Sequence, residues 1–233
     1  MGQKVSPIGF RIGVTEDWRS RWYAPKPAYA EFLSEDLKIR RSVERKLNES
    51  APYPGCAKVE IERTRNEVKL IIHTARPGLV IGPKGAEIDK LKEEIENLID
   101  RKVNVNIVEI KNPDISAPLV AQSIADQLKK RASFRRVMKQ KCETALQAGA
   151  KGIKIILKGR LGGSEMARVE TQKMGSIPLQ TLQARVEYGY AVARTTYGTL
   201  GCRVWVYLGH YGEVTAAEEG APAGLVGQRR RRL

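Results

Sequence analysis

A short glycine loop is the stretch of the sequence with the clearest capacity to bind a ligand. Gly82 and Gly85 enclose Pro83 and Lys84, and an apolar pattern typical of an amphipathic helix follows directly. Glycine permits positive φ angles and close approach of a ligand, and the start of a helix offers unpaired N–H groups to an anion. With the charge of Lys84 added, the loop predicts a contact with phosphate. The alternative is a helix corner that is closed by glycine and binds nothing.

A second candidate site lies between positions 129 and 141, which hold seven cations and no acid before Glu143. The helix predicted after Ser133 has an apolar side, so its other side presents cations, with Arg135 and Lys139 one turn apart. A solvated helix face usually mixes charges of both signs, so the run predicts a nucleic-acid surface. The seven cations are Lys129, Lys130, Arg131, Arg135, Arg136, Lys139 and Lys141.

Basic residues also alternate with aromatic residues over positions 1–28, where no clean helical or strand periodicity appears. An extended arm of this composition suits cations on phosphates and rings on bases. The alternative is an arm folded back on its own protein, with Trp18 and Trp22 as packing anchors. The arm cations that we expect to contact RNA are Lys4, Arg11, Arg19 and Arg21.

The glycine-rich stretch 159–168 supplies two more candidate RNA-binding residues, Arg160 and Arg168. Its glycines are compatible with a phosphate-binding loop. The Gly-Lys-Ser/Thr sequence of a P-loop is missing from it, however, and the chain carries no dinucleotide fingerprint.

The elements predicted around the glycine loop occur in the order helix, strand, strand, short helix, loop, helix, strand. This order is similar to that of type II KH domains, whose Gly-x-x-Gly loop clamps the backbone of about four single-stranded nucleotides. The loop holds one cation where many relatives hold two, so we expect the basic helix and the arm to make most RNA contacts. The patterns fall at 28–47, 58–63, 67–72, 78–81, 88–99 and 103–110.

A second domain is predicted after Asn112-Pro113, because proline resists continuation of the preceding element. Two helices, the first capped by Ser116, precede strands at 151–158, 166–172, 184–190 and 202–207. The predicted fold class is α+β: an N-terminal arm, a type II KH domain with a three-stranded sheet packed with helices, and an α/β domain of two helices and a small sheet. The domains are 1–28, 29–111, 112–210 and a flexible basic tail, 211–233.

Composition limits the possible partners. The 233 residues include 41 Lys and Arg against 26 Asp and Glu, a net charge of +15, which favours polyanions. No apolar run is long enough to span a membrane, and the three cysteines lack Cys-x-x-Cys spacing. His73 and His210 are far apart and no catalytic constellation is apparent. We therefore expect a cytoplasmic, non-enzymatic protein with no membrane attachment, cofactor, catalytic residue or metal site.

Several segments resemble the bacterial family of small-subunit ribosomal protein three. They are residues 2–7, 73–78, 134–136, 149–152 leading into 159–163, and Thr196-Tyr197-Gly198. The resemblance implies a structural constituent of the ribosome that binds small-subunit ribosomal RNA in the head and neighbours proteins ten and fourteen. It also implies a role in forming the channel by which messenger RNA enters. The residues facing the message would be Lys130, Arg131, Arg135, Arg136 and Lys139.

Two other function classes remain open from the sequence. A free KH-type RNA chaperone or regulator would explain the KH unit, although it would not explain the aromatic and basic arm or the second domain. An enzyme acting on nucleic acid or nucleotides would need a site that is assembled only by folding.

Overall fold

The computed structural model describes residues 3–49, 54–64 and 67–211, with the backbone alone at Glu49 and Lys84. Two four-stranded sheets, each packed with two helices, account for most of this part of the chain. The α+β fold class that the sequence predicts is confirmed. The predicted turn at 65–66 and nearly all of the predicted tail, 211–233, lie outside the described residues.

The N-terminal sheet has the order β1-β2-β3-β4. Strands β2 and β3 form the expected antiparallel hairpin, and β4 runs parallel to β3. Helices α2 and α4 bury apolar side chains such as Ile39 and Ile95 against Leu70 and Ile72. The elements are α1 (Pro7–Arg11), β1 (Ser20–Arg21), α2 (Lys26–Glu44), β2 (Cys56–Arg63), β3 (Glu67–Thr74), α3 (Pro77–Ile81), α4 (Ala86–Ile99) and β4 (Lys102–Glu109).

The arm contributes a strand that periodicity did not predict. Ser20 and Arg21 pair in parallel with Ile61 and Glu62, so the three strands of the KH unit gain a fourth at their edge. Trp22 donates an indole hydrogen bond of 2.8 Å to Asp36, whereas Trp18 stays 64% exposed. The arm therefore folds back on its own protein. Trp22 anchors it, and Trp18 does not.

Helix α2 leaves part of its apolar pattern exposed to solvent. Tyr29, Leu33 and Leu37 recur at one-turn spacing but are 52%, 43% and 47% exposed, whereas Val43 is fully buried. The buried face also carries Glu35 and Asp36, which form ion pairs with the guanidinium of Arg63. Buried carboxylates need such partners, and Arg63 supplies them from β2.

The second sheet is antiparallel throughout, in the order β6-β5-β8-β7. Helices α5 and α6 cover one face and share a core with residues such as Ile124, Met138 and Ile155. Gly189 permits close approach to α5, because a Cβ there would lie 2.2 Å from the Ala117 carbonyl oxygen. The elements are α5 (Ala117–Lys129), α6 (Phe134–Gln147), β5 (Gly152–Gly159), β6 (Arg168–Gly175), β7 (Ala184–Thr195) and β8 (Gly198–His210).

The start of α5 is capped by a residue distant in sequence. Ser116 occupies the N-cap position but makes no side-chain cap hydrogen bond. A carboxylate oxygen of Glu187 on β7 accepts the Ala117 N–H at 3.1 Å instead. The sequence therefore located the start of the helix correctly but named the wrong capping side chain, because Glu187 takes the role predicted for Ser116.

The three cysteines are free and buried. Burial raises the pKa of the Cys56 and Cys202 thiols to about 12 and that of Cys142 to about 11, so all three stay protonated at neutral pH. Within the described ranges, no helix has the length and apolar character needed to cross a membrane. No group of three or more His, Cys, Asp or Glu side chains there is arranged to hold a metal.

Candidate nucleic-acid interface

The connection between α5 and α6 has an arginine in a backbone conformation that usually selects glycine. Arg131 has φ = 60°. Its N–H donates to the Leu128 carbonyl at 3.0 Å, and the Ala132 N–H donates to Gln127 at 3.1 Å. These two bonds define a Schellman motif, in which a non-glycine residue costs roughly 1–2 kcal/mol. The fold thus holds an exposed cation at a strained position.

The first turn of α6 lacks the residues that normally stabilise a helix start. The Ser133 side chain makes no cap hydrogen bond, and no acid lies in the first turn. Arg135 and Arg136 stand there instead, near N–H groups that carry a partial positive charge. Each such cation destabilises the helix slightly and strengthens the positive potential at its end.

The ring of Phe134 lies close to cations from two elements. The guanidinium carbon of Arg135 lies 5.6 Å from the ring centroid, and that of Arg168, on β6, lies 5.3 Å from it. Both distances are within the range of cation–π attraction. Phe134 belongs to α6, and its contact with Arg168 joins two residues that lie more than thirty positions apart in the sequence.

The loop between β5 and β6 contributes another exposed cation, Arg160. Its Nε donates to the Ser164 carbonyl at 2.9 Å, and an Nη donates to the Tyr197 carbonyl at 3.2 Å. Leu161 anchors the same loop in the core. Arg160 therefore remains exposed while fixing the loop against the turn between β7 and β8.

The seven cations between positions 129 and 141 divide into two groups. Three lie near carboxylates: Lys129 at 3.3 Å from Asp126, Lys139 at 3.9 Å from Glu143, and Lys141 at 3.6 Å from Asp114. The other four are exposed and have no acidic partner among the residues that the structure describes. We call these four, together with the two cations of the adjoining loop, the basic surface: Lys130, Arg131, Arg135, Arg136, Arg160 and Arg168.

Helix α4, behind the Gly-x-x-Gly loop, has the opposite electrostatic character. Gly82 and Gly85 have φ angles of 71° and 84°, so the loop needs glycine at both positions. Glu87 and Asp89 occupy the first turn of α4 and complement its dipole. A hydrogen bond from Lys90 holds the pKa of Glu87 below its usual value, so this carboxylate is ionised at neutral pH. The side chain of Lys84 lies outside what the structure describes.

The structure distributes the arm cations among different environments. Lys4 is exposed, and Arg19 is partly exposed. Arg21 forms ion pairs with Glu60 at 3.2 Å and Glu62 at 3.5 Å. None of the three belongs to the basic surface as we define it.

Arg11 corrects the sequence prediction, because its side chain is fully buried and has no surface for RNA. Its guanidinium donates hydrogen bonds to backbone carbonyl oxygens on both sides of the arm's contact with the second domain. This network makes Arg11 a structural clamp. The acceptors are the carbonyl oxygens of Pro7, Pro178, Leu179, Thr181 and Ala184.

Comparisons with known proteins agree with this architecture. A family model described as "KH domain" matches residues 38–115, and one described as "Ribosomal protein S3, C-terminal domain" matches residues 124–206. The chain is 50% identical over 209 residues to "Small ribosomal subunit protein uS3" of Desulforamulus reducens, covering 90% of this chain and 93% of the relative. It is 50% identical over 223 residues to the protein of that name from Anaeromyxobacter dehalogenans strain 2CP-C, with 96% of each chain covered.

A third relative of the same name, from Rhodopirellula baltica, is 51% identical over 214 residues and covers 91% of each chain. Both domains are thus matched, in the same order, by relatives of nearly the same length. This chain belongs to the bacterial ribosomal protein S3 (uS3) family, with a KH domain in its N-terminal half.

Proposed function

We propose that this chain, a structural component of the small ribosomal subunit in the cytoplasm like its relatives, binds small-subunit ribosomal RNA and messenger RNA. In this proposal the basic surface forms part of the wall of the channel by which the message enters. The observation that carries it is the group of four exposed cations without acidic partners in the described chain, next to Arg160 and Arg168. The family is non-enzymatic, and the proposed role needs no catalytic group.

The physical basis is electrostatic attraction to phosphate. Cations that repel one another in the free protein gain from a polyanion, because phosphate contacts release condensed counterions. Arg131 and the first turn of α6 are costly for the isolated fold, and this cost is offset when an anion lies beside them. The wall would hold the message and keep its strand in position without hydrolysing nucleotides.

Ribosomal RNA contact is part of the same proposal. The relatives are named as small-subunit proteins, and a net charge of +15 suits a position among phosphates. The matched domain at 124–206 and the folded arm also favour this role over that of a free KH-type regulator, which would need neither.

Neighbouring small-subunit proteins are the other proposed partners, with proteins ten and fourteen as the candidates. The exposed apolar side chains of Tyr29, Leu33 and Leu37 recur at one-turn spacing on α2 and suit a protein contact. A photo-crosslinker at position 33 in assembled subunits would identify the neighbour. Attachment to ribosomal RNA alone would contradict a protein contact at this face.

The messenger RNA role is tested by replacing Arg131, Arg135 and Arg136 with alanine in reconstituted small subunits. We expect slower translation of messages with stable hairpins and nearly normal translation of unstructured ones. The matched control replaces Lys129, Lys139 and Lys141, which removes the same charge from α5 and α6 but leaves the four unpartnered cations in place.

Sucrose-gradient profiles verify that each variant enters subunits. Equal slowing of structured and unstructured messages, or equal effects of the two triple variants, would contradict the proposed wall.

A further inference from the structure

An exposed tyrosine stands at the tip of the hairpin beside the basic surface. Tyr197 lies in the two-residue turn between β7 and β8 and is 54% exposed. Gly198 directly after it has φ = 126°, a conformation that L side chains rarely adopt. The turn therefore closes on glycine and leaves the tyrosine ring outside the core.

The ring is held in place from one side. A Cβ at Gly163 would lie 3.1 and 3.2 Å from two atoms of the Tyr197 ring, so the absence of a side chain lets the loop approach the ring closely. Arg160 donates to the Tyr197 carbonyl, and the Thr195 hydroxyl donates to the Gly198 carbonyl at 2.7 Å. These contacts hold the turn and pack one side of the ring, although the residue as a whole is more than half exposed.

The surroundings of the ring are those of a nucleic-acid contact. The loop that supports it contains Arg160 and leads to Arg168, whose guanidinium lies over Phe134. In the same loop, a Cβ at Gly162 would lie 3.9 Å from Phe134. An exposed aromatic ring at the margin of a cationic surface has the composition of single-strand binding sites.

Charge alone does not explain a preference for single strands. A duplex carries phosphates at higher density, and its log–log salt dependence per contact is about −0.9, against about −0.7 for single strands. A purely cationic wall would therefore favour paired RNA. A wall that favours the open strand needs a group that binds something only the open strand exposes.

We propose that Tyr197 is a stacking site for an unpaired nucleobase of RNA. The inference rests on the proposed function, because the basic surface holds the phosphates of the same strand. A base inside a duplex has both faces covered by its neighbours, whereas an unpaired base offers a free face to the ring. The tyrosine thereby gives the basic surface a preference for single strands, which its charges alone do not provide.

The test measures binding of the full-length chain to a single-stranded RNA of about ten nucleotides and to a duplex of the same length. Tyr197→Ala is expected to weaken single-strand binding between about fivefold and a hundredfold and to leave duplex binding within about twofold. Tyr197→Phe, which retains the ring, is expected to bind like the unaltered chain. The matched control is Tyr190→Ala, which removes a tyrosine of similar exposure, 57%, from β7 of the same hairpin.

A direct readout is the fluorescence of 2-aminopurine placed in the single strand, which is quenched when the base stacks. We expect Tyr197→Ala to lose the quenching at saturating protein and Tyr197→Phe to keep it. Circular dichroism melting establishes that each variant is folded.

Equal weakening of single-strand and duplex binding, or unchanged binding and quenching in Tyr197→Ala, would overturn the stacking site. Normal RNA binding with loss of a neighbouring protein from assembled subunits would also overturn it and assign the ring to a protein contact. In each of these cases the salt dependence contributed by Arg131, Arg135 and Arg136 tests the basic surface separately. The stacking site can therefore fail while the proposed function stands.

Discussion

Helices α4 and α6 begin in opposite ways although each is 14 residues long. Helix α4 follows the Gly-x-x-Gly loop and places Glu87 and Asp89 in its first turn. Helix α6 follows a strained arginine and places Arg135 and Arg136 there, with no acid. The first helix complements its dipole with acids of its own, and the second has none in its first turn. We therefore expect the basic surface, and not the motif that best identifies the fold, to be the stronger phosphate site.

The contrast separates residues that build the structure from residues that suit a ligand. The glycines of the loop are required by backbone geometry, and an acid lies against Gly82. Among the described residues, the cations of the basic surface have no comparable structural partner, apart from Arg160 in its loop and Arg168, which lies 3.6 Å from Glu170. Stability and RNA binding should therefore respond to different substitutions.

The largest expected effect on stability comes from Gly82→Ala. Gly82 has φ = 71° and ψ = 179°, and a Cβ there would lie 2.7 Å from Cγ of Glu87. We expect a loss of about 1–3 kcal/mol in the free energy of unfolding, measured by urea denaturation. Gly78→Ala in α3 is the control, because a Cβ there meets nothing within 4 Å.

If Gly82→Ala instead weakened RNA binding at temperatures where the protein is folded, the loop would be a binding element. The comparison of the two helices would then fail.

Neutralising the charged pair in the first turn of each helix tests the dipole argument from both sides. Arg135→Gln with Arg136→Gln should raise the free energy of unfolding by about 0.5–2 kcal/mol, because two cations leave a helix N-terminus. Glu87→Gln with Asp89→Asn should lower it by a similar amount for the opposite reason. Only the first pair should weaken RNA binding. Thermal or urea unfolding checks the stability changes, and changes of the same sign in both pairs would contradict the dipole argument.

A smaller effect is expected at two helix ends that have positive φ without glycine. Arg131→Gly after α5 and Asp100→Gly after α4 should each stabilise the fold by about 0.5–1 kcal/mol, because glycine relieves the left-handed strain. Arg131→Gly alone should reduce the log–log salt slope of RNA binding, by about 0.7. Equal RNA-binding losses in the two variants would show that Arg131 has no special contact.

Much of the fold follows from local patterns in the sequence. The hairpin, the helix behind the glycine loop and the two later helices were predicted because apolar spacing within one element determines each of them. The basic stretch was also visible, because its charge is continuous along the chain.

The residues whose surroundings the sequence did not predict contact residues that are distant in the sequence. Arg11 is buried because its acceptors lie at 178–184, and β1 forms because two residues meet the edge of a distant hairpin. The face of α2 is set by Arg63 on another element. Lys141 was counted in the basic run without an acidic partner in view, because Asp114 precedes it by more than a full helix. Spacing within one element carries no signal for such pairs.

The candidate site was only partly predictable for the same reason. Arg135 and Arg168 meet at Phe134 only after β6 folds beside α6. Tyr197 belonged to a segment that suggested the family, but its support by Gly163 is a tertiary contact. An aromatic residue followed directly by glycine at the tip of a predicted hairpin is the sequence signal that could have singled it out.

The salt dependence of RNA binding distinguishes the basic surface from the glycine loop as the main phosphate site. It is measured with the same single-stranded RNA for the unaltered chain, for Arg131, Arg135 and Arg136 replaced by alanine, and for Lys84, Lys90 and Lys92 replaced by alanine. Both variants lose three positive charges, so the change in net charge is the same. We predict that the log–log slope falls by about 2 in the arginine variant and stays nearly unchanged in the lysine variant. A fall of that size in the lysine variant, with none in the arginine variant, would contradict the account.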